Sequence, residues 1–315
     1  MNKKPGRAAG RPSRGLVLRD ARPGDRQAIL GFTRRTWGEY GDFIHKVWRS
    51  WIADKSGRFI VAELGGVPVG TAKINDFGRG QIWLEGLRVD PAHRGEGIAR
   101  AINLEVLRTL ARMRPRAVRY STGAGNRASR HIGGRFGFRV AGHFRYYWGK
   151  SRRGKLFGER ARGRDADAVW RFVKASRYLA RTGGLVAEGW VFREATPELV
   201  RAYIRRGQVM VVRDSGKIVG AAIYPLEKSD RWQTVGFLDG PEAVMKALAA
   251  NCRHLAAARG GKECSVVVPS RHCPRAVEAA GFKRKQSMGQ VVLEYAGKVG
   301  RTSKSGRAGR GAGRR

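Results

Sequence analysis

The sequence has few cysteines and no long apolar segment. Its three cysteines, Cys252, Cys264 and Cys273, cannot all pair with one another, and they indicate reduced thiols in a cytoplasmic protein. No apolar run approaches the roughly 18 residues that cross a membrane. Residues 1–15 are basic but lack the apolar core of a secretory signal. We therefore expect a cytoplasmic protein that does not enter a membrane.

The sequence also lacks a recognisable metal-binding pattern. His254 and His272 lie near the three cysteines along the chain. The spacing of these five residues matches no compact ligand set of a zinc site. We therefore expect no bound metal.

Acidic residues are scarce. Lysine and arginine total 64 against 25 aspartates and glutamates, which gives a net charge of +39. Residues 1–15 carry five of these basic residues and residues 298–315 carry seven, so we expect two basic, disordered tails. Such a charge favours non-specific association with RNA, DNA or ribosomes. The tails lack the aromatic residues that stack on bases, and an arginine-rich lineage explains the charge equally well.

One segment has the pattern of a strand, a glycine-containing loop and a helix. Alternating side chains from Trp83 to Val89 indicate the strand, and Asp90-Pro91 ends it. Apolar residues then recur at helical spacing from Ile98 to Met113. Between them, Gly95 and Gly97 let backbone N–H groups approach an anion at the positive end of the helix. This geometry suits a pyrophosphate, with Arg94 adding positive charge beside it.

This loop, Arg94-Gly95-Glu96-Gly97-Ile98-Ala99, resembles the R-x-x-G-x-A acetyl-CoA loop of the GNAT acyltransferases. A second segment, from Asn126 to Phe136-Gly137-Phe138, resembles the helix that closes the cofactor cleft in that family. The resemblance implies acetyl-CoA as co-substrate. It also implies cofactor contacts from Leu87, Val89, Arg94, Gly95, Glu96, Gly97, Ile98, Ala99, Asn126 and Ser129.

Three landmarks recur along the chain and indicate a duplication. Asp25 and Asp165 each precede a helical run, Gly70 and Gly220 lie in similar hairpins, and Gly137 and Gly281 each precede a phenylalanine. Near-constant separations predict two copies of one α/β unit of about 140 residues. The second copy has Phe237-Leu-Asp-Gly-Pro-Glu242 in place of the phosphate loop. Because these carboxylates repel a pyrophosphate, we expect that copy to lack the cofactor site.

The predicted fold class is therefore α/β, with tandem GNAT-like domains. Each domain is expected to have a central mixed, mostly antiparallel sheet flanked by helices. We place a GNAT acetyl-CoA-binding catalytic domain at residues 16–150 and a degenerate GNAT-like domain at residues 155–297. A closing hairpin through Tyr146-Tyr147-Trp148 is expected to complete the first domain.

Acyl transfer to an amine needs a base, and Glu85 is the candidate. It lies four residues before Val89, where members of the family often place a base, and strand alternation puts it on the face of Val89. The alternative is a structural pair with Arg88 or Arg119. Trp37, Trp48 and Trp51 lie where the family forms part of the acceptor pocket, and we expect at least two of them to be core residues.

The acid for the departing thiolate is harder to assign. The family usually places a tyrosine four residues before the Gly-Phe pair, and here that position is Gly133. Candidate replacements are Ser129, His131, Tyr146 and Tyr147, and we name Tyr147. The predicted function is N-acetyl transfer from acetyl-CoA to a primary amine, a small amine or amino acid in preference to a protein amine. The alternative is a non-catalytic acyl-CoA-binding protein, or a nucleic-acid- or ribosome-associated protein, on a GNAT scaffold.

Overall fold

A computed structural model describes residues 15–34, 41–226, 232–285 and 289–297. The basic tails (except Gly15) and Trp37 therefore lie outside the described residues. Within these ranges no helix combines the length and apolarity that crossing a bilayer requires. The same residues contain no group of three His, Cys, Asp or Glu side chains arranged to hold a metal ion.

The first half of the chain forms six strands and four helices within the described residues. In chain order they are β1 (Leu16–Asp20), α1 (Arg26–Thr33), α2 (Ile44–Ala53), β2 (Arg58–Leu64), β3 (Val67–Asp76), β4 (Gln81–Val89), α3 (Ile98–Met113), β5 (Ala117–Gly123), α4 (Arg127–Arg135) and β6 (Phe138–Lys150). The predicted closing hairpin is wrong, because β6 runs without a turn through Tyr146-Tyr147-Trp148.

The second half begins with a short strand and repeats much of this order. Its elements are β7 (Glu159–Arg160), α5 (Ala166–Ala175), α6 (Arg177–Thr182), β8 (Leu185–Glu188), β9 (Val191–Glu194), α7 (Pro197–Arg205), β10 (Val209–Asp214), β11 (Lys217–Ile223), β12 (Gln233–Val235), β13 (Phe237–Asp239), α8 (Glu242–Ala258), β14 (Glu263–Pro269), α9 (Pro274–Ala279), β15 (Lys283–Arg284) and β16 (Gln290–Tyr295).

The predicted internal repeat is confirmed by strand register. The β2–β3 hairpin has a bulge between Ala62 and Glu63, and the β10–β11 hairpin has one between Val212 and Arg213, 150 positions later. Each hairpin also carries a glycine against which a helix packs. A Cβ on Gly70 would lie 3.1 Å from an Ile98 methyl of α3. One on Gly220 would lie 2.4 Å from Val244 of α8.

An ion pair occurs at equivalent positions of the two copies with its signs reversed. In the first copy Arg19 of β1 donates to Glu63 of β2 at 2.7 Å. In the second copy Glu159 of β7 accepts from Arg213 of β10 at 2.6 Å. The two copies therefore share backbone register. In the first copy the arginine lies on the first strand and the acid on the second, whereas in the second copy these positions are reversed.

The two halves exchange their last strands. Among the described residues ten strands form one sheet, in the order β1-β2-β3-β4-β5-β16-β6-β14-β12, with β15 beside β6. Thus β16, from the end of the chain, pairs with β5 of the first half, while β6 pairs with β14 of the second half. This one sheet contains strands from both predicted domain ranges, 16–150 and 155–297. The boundaries of these domains stay a prediction.

Side chains on the two faces of this sheet belong to different parts of the core. Ile60 and Ile74 face α3 and pack with Ile102, and we call this side the α3 face. Phe59 and Val61 pack on the opposite side with α1 and α2, which defines the α2 face. The buried Trp48 and Trp51 belong to the α2 face, which confirms the expectation that two of the three tryptophans are core.

Candidate active site

The predicted acetyl-CoA loop connects β4 to α3. Gly95 and Gly97 have φ angles of +87° and +78°, a left-handed conformation that glycine adopts without steric cost. Gly97 immediately precedes α3, so the first unpaired N–H groups of that helix and the positive end of its dipole lie at the loop. The residues present therefore fit an anionic group such as a pyrophosphate.

The charged side chains of this loop leave the helix end electropositive. Arg94 is exposed, and Glu96 Oε2 lies 3.3 Å from His93 Nδ1. The first turn of α3 contains no acidic residue. Ile98, the first residue of the helix, is buried against the sheet and fixes the direction of α3, and Ala99 follows it in the first turn.

Beside this loop, two neighbouring strands part. The parallel pairs between β4 and β5 run from Gln81↔Ala117 only to Trp83↔Arg119, although both strands continue. Beyond this point the edges of β4 and β5 face a cleft. Asp90 N donates to Val69 O of β3 at 2.8 Å. Since successive N–H groups of a strand point to opposite edges, those of Leu87 and Val89 point into the cleft.

At the other wall of the cleft, Asn126 and Ser129 begin α4. The Asn126 side-chain oxygen accepts from Ser129 N at 3.1 Å, which is an N-cap. The observed role of Asn126 is therefore structural, because its side chain caps the N-terminus of α4. Direct contact of Asn126 and Ser129 with a cofactor stays a prediction.

The expected position of Glu85 relative to Val89 is wrong, because β4 contains a bulge. Glu85 pairs with Lys73, whereas Val89 pairs with Gly70, and residues 73 and 70 of the regular partner strand lie on opposite faces. Gly86 produces the bulge with φ of +68°, and a Cβ there would lie 2.6 Å from the Trp51 ring. Glu85 therefore lies on the α2 face and Val89 on the α3 face. A glycine inside a strand is the sequence signal for such a bulge.

Glu85 is held at the edge of the cleft by a neighbouring amide. Asn75 Nδ2 donates to Glu85 Oε1 at 2.8 Å, a contact that the sequence did not predict. The two arginines considered as structural partners of Glu85 each contact a different carboxylate. Arg88 Nε lies 2.6 Å from Asp42, and Arg119 Nε lies 2.8 Å from Glu294. Glu85 is partly exposed, as a group that meets a substrate must be.

Tyr147 is placed away from the acetyl-CoA loop. It is fully buried in the core of the second half, where it packs among residues such as Val266 and Phe282. Its hydroxyl has no hydrogen-bond partner within the described part of the chain. Its neighbour Tyr146 instead joins the cluster that contains Trp83. This placement favours a structural role for Tyr147, and its role as an acid stays a prediction.

Gly133, the position where a tyrosine is usual, is occupied from another strand. A Cβ on Gly133 would lie 2.0 Å from the hydroxyl oxygen of Tyr120. That hydroxyl, on β5, donates to Ser129 O of α4 at 3.1 Å. Burial raises the pKa of Tyr120 above its usual value, so the hydroxyl remains a donor at neutral pH. The missing side chain at residue 133 is therefore explained by a hydroxyl that already fills its space.

The contact predicts an unusual result for Gly133→Ala. Alanine is normally more favourable than glycine inside a helix by roughly 1 kcal/mol. Here the clash with Tyr120 should reverse the sign and lower the free energy of unfolding by about 1–3 kcal/mol. Urea unfolding measures this, and the loss should be smaller in a Tyr120→Phe background. Gly134→Ala is the control, because nothing lies within 4 Å of its Cβ. Equal effects at residues 133 and 134 would contradict the contact.

The equivalent cleft of the second half is filled by the protein itself. The parallel pairing of β12 with β14 ends at Val235↔Val266, and the strands part there as β4 and β5 do. Tyr178 lies at this point, and its hydroxyl donates to Gly236 O at 2.5 Å. His272, whose pKa burial lowers, lies with Nε2 2.7 Å from Leu238 O. Side chains thus occupy the space that stays open in the first half.

The anion-binding turn is closed in the second half as well. The Asp239 carboxylate accepts from Gly240 N at 2.9 Å and from Tyr178 N at 3.1 Å. Glu242 begins α8, where the first half has no acid. The Asp239 carboxylate thus occupies the Gly240 N–H of this turn, and Glu242 adds negative charge at the start of α8, so the expectation that this copy lacks a cofactor site stays a prediction.

Comparison with known proteins identifies the family of the segment that carries this candidate site. Residues 26–138 match the model of the acetyltransferase (GNAT) family. This segment contains the loop, the parted strands and Glu85, and it is a GNAT acetyltransferase domain. The chain thus contains an acyltransferase domain of the GNAT superfamily. The comparison with curated proteins gives no significant match.

Solved structures extend the likeness of fold to nearly the whole chain. A GCN5-related N-acetyltransferase from Sphaerobacter thermophilus is 16% identical, with a TM-score of 0.65 over 90% of this chain and 96% of that one. A tandem GNAT protein from the clavulanic acid biosynthesis pathway is 14% identical, with a TM-score of 0.57 over 91% and 99% of the two chains. The fold is accordingly the two-domain, tandem form of GNAT.

Proposed function

We propose that this protein transfers an acetyl group from acetyl-CoA directly to a primary amine, a small amine or amino acid, in the cleft of its first half. The observation that carries the proposal is the parting of β4 and β5 beside the Gly95 and Gly97 turn. A thioester in this cleft would lie between backbone donors on one side and Glu85 on the other. The second half, with its cleft filled, supports the site without binding a cofactor.

The amine must lose a proton before it attacks. At pH 7 this costs roughly 4.6 kcal/mol for a lysine-type amine and about 1 kcal/mol for an α-amine. Glu85 is the group proposed to accept the proton, directly or through a water. Asn75 keeps its carboxylate at the cleft edge. The backbone N–H of Val89 is proposed to polarise the thioester carbonyl, since it points into the cleft.

No acid other than Tyr147 is proposed for the departing thiolate. Tyr120 donates to Ser129 O of α4, so its hydroxyl proton is already engaged. A thiol with a pKa of about 8.5 is a moderate leaving group that departs as thiolate with modest help. The electropositive start of α3 favours that negative charge.

Binding of acetyl-CoA tests the proposal. We expect Gly97→Glu to abolish binding, because the new carboxylate repels phosphate and the residue must adopt φ of +78°. Calorimetry at about 0.5 M salt screens non-specific attraction to the basic surface, with ATP as control ligand. Gly216→Glu is the matched variant, since Gly216 has the same φ of +78° in a hairpin of the second half.

The expected result is binding of acetyl-CoA but not ATP to the wild type and to Gly216→Glu. Release of CoA should then depend on an added amine. Binding that disappears with salt for every ligand alike, or equal binding by Gly97→Glu, would contradict the proposed site.

A further inference from the structure

A basic segment joins the two halves and is held in place by its backbone. Residues 151–158, which we call the linker, connect β6 to β7 and belong to neither a helix nor a strand. Arg152 N donates to Arg253 O of α8 at 3.2 Å. Phe157 N donates to Asn251 Oδ1, and Asn251 Nδ2 donates to Phe157 O, both at 2.8 Å. The linker backbone is therefore fixed against α8.

The anchored linker leaves its polar side chains in solvent. Arg152, Arg153 and Lys155 are all exposed, whereas Leu156 packs against the core of the second half. Phe157, which follows Leu156, is 43% exposed. The linker therefore presents three cations and one aromatic ring to solvent on an ordered backbone.

Further basic residues surround the linker. Lys150 and Lys262 lie where the linker leaves β6, since Ser151 N donates to Lys262 O at 2.8 Å, and both lysines are exposed. Arg253 donates to two backbone carbonyls, Lys150 O at 2.8 Å and Ala280 O at 3.0 Å. Its charge is held beside the linker by groups that do not neutralise it.

Nearby acids do not neutralise these cations. We define the linker surface by one aromatic ring, Phe157, and the basic side chains around it: Lys150, Arg152, Arg153, Lys155, Arg253 and Lys262. Within the residues that the structure describes, none of these basic side chains forms an ion pair with a carboxylate. The acids next to the surface have other partners. Glu159 accepts from Arg213 at 2.6 Å, and Glu263 accepts from Trp148 Nε1 at 2.8 Å.

Uncompensated cations around an exposed aromatic ring fit single-stranded nucleic acid. Lysine and arginine side chains neutralise phosphates and release their counterions, and an aromatic ring stacks on an unpaired base. A duplex keeps its bases inside the helix, and an acidic protein has no base to offer. The exposed ring therefore favours a single strand over these other polyanions.

The linker surface is separate from the acetyl-CoA cleft. Gly123, the last residue of β5, and Phe144 of β6 both pair with Gln290, so they lie at one level of the sheet. Lys150 is six residues further along β6 than Phe144, which amounts to about 20 Å of strand. A molecule bound at the linker surface does not need the cleft.

We propose that the linker surface binds single-stranded nucleic acid, with phosphates at its lysine and arginine side chains and an unpaired base on the Phe157 ring. This activity goes beyond acetyl transfer and does not depend on it. It also differs from attraction by the two basic tails, because the tails contain no aromatic residue.

Removal of charge tests the phosphate contacts. In the full-length chain, Arg152→Ala/Arg153→Ala/Lys155→Ala should bind a labelled oligouridylate of about 12 nucleotides roughly 10- to 100-fold more weakly at about 0.1 M salt. The slope of log K against log salt concentration should become shallower by about 2, because each phosphate contact with a single strand contributes roughly 0.7. The linker hydrogen bonds involve backbone atoms of Arg152 and Phe157, so the Tm should stay close to that of wild type.

A second triple variant controls for total charge. Arg171→Ala/Lys174→Ala/Lys217→Ala removes three exposed cations from α5 and β11 of the same half. It should bind oligouridylate nearly as wild type does, although its net charge equals that of the linker variant. Both triple variants should bind acetyl-CoA with the wild-type Kd, since neither changes the cleft.

Removal of the ring tests base stacking. Phe157→Ala should weaken oligouridylate binding by roughly 5- to 100-fold, the usual effect of losing one stacked base. The salt slope should not change, because no charge is removed. Trp190→Ala is the control, at another exposed aromatic residue of the second half with 38% exposure, and it should bind as wild type does.

Competition identifies the class of polyanion. An unlabelled single strand should displace the labelled probe at a concentration of charge roughly 10-fold lower than poly-glutamate or an RNA duplex requires. Equal losses in the two triple variants would overturn the proposal, because the attraction would then follow total charge. Wild-type affinity in Phe157→Ala would also overturn it. So would equal displacement by poly-glutamate, which would indicate an acidic protein, or by the duplex.

Discussion

Replacing Glu85 with glutamine is expected to lower kcat/KM for the amine by roughly 100- to 10,000-fold, the usual contribution of a positioned general base. Glutamine keeps the size of the side chain and accepts the hydrogen bond from Asn75, but it cannot take a proton. Binding of acetyl-CoA should be unchanged, since the anion-binding turn is untouched.

The pH profile separates loss of a base from loss of structure. In the wild type kcat/KM should fall at low pH, because the carboxylate becomes protonated and the amine gains its proton. In Glu85→Gln the part of this fall that belongs to the carboxylate should disappear. Glu278→Gln, at an exposed position of α9, is the control. Activity close to wild type in Glu85→Gln would remove this residue from the mechanism.

Stopping the chain after residue 288 is expected to abolish folding of both halves. The truncation removes β16, whose Val291, Val292 and Leu293 are 0%, 0% and 2% exposed. Burial of each side chain contributes about 1.5–3 kcal/mol, so the three together approach the total stability of about 5–15 kcal/mol typical of a folded protein. Loss of β16 also strips hydrogen bonds from β5 and β6 at once.

A chain that stops after residue 297 is the matched control. It retains β16 and should show the Tm and acetyl-CoA binding of the full protein. Circular dichroism and thermal unfolding of the two truncations provide the comparison. A cooperative, cofactor-binding first half in the shorter chain would show that the exchanged strand is dispensable.

The conformation of the Gly95 and Gly97 loop and the duplication could be predicted because short segments of sequence determine both. Gly95 and Gly97 define their turn within a few residues, and the hairpins keep the same bulge 150 positions apart. The expectation that the second copy lacks a cofactor site likewise rests on Asp239 and Glu242, whose carboxylates repel a phosphate whatever their tertiary context.

The remaining features depend on contacts between distant residues. The sequence of β16 does not tell whether this strand pairs with β14 of its own half or with β5 of the first half. Either position would bury the same apolar side chains of β16. Tyr120 fills the space at Gly133 from a different element, and Trp190 reaches the first half through a hydrogen bond to Ser121. The bulge at Gly86 was visible as a glycine within a strand, but regular alternation was assumed there.

The reversed ion pairs disfavour pairing of the first strand of one half with the second strand of the other half. Were β7 to add to β2 in place of β1, Glu159 would meet Glu63; were β1 to add to β10, Arg19 would meet Arg213. Like charges at diagonal positions of neighbouring strands, where Arg19 and Glu63 lie, would destabilise the sheet by roughly a few tenths of a kcal/mol. The two copies therefore exchange their last strands, β6 and β16. In contrast, the opposite order of charges favours pairing of β1 with β2 and of β7 with β10, each within its own copy.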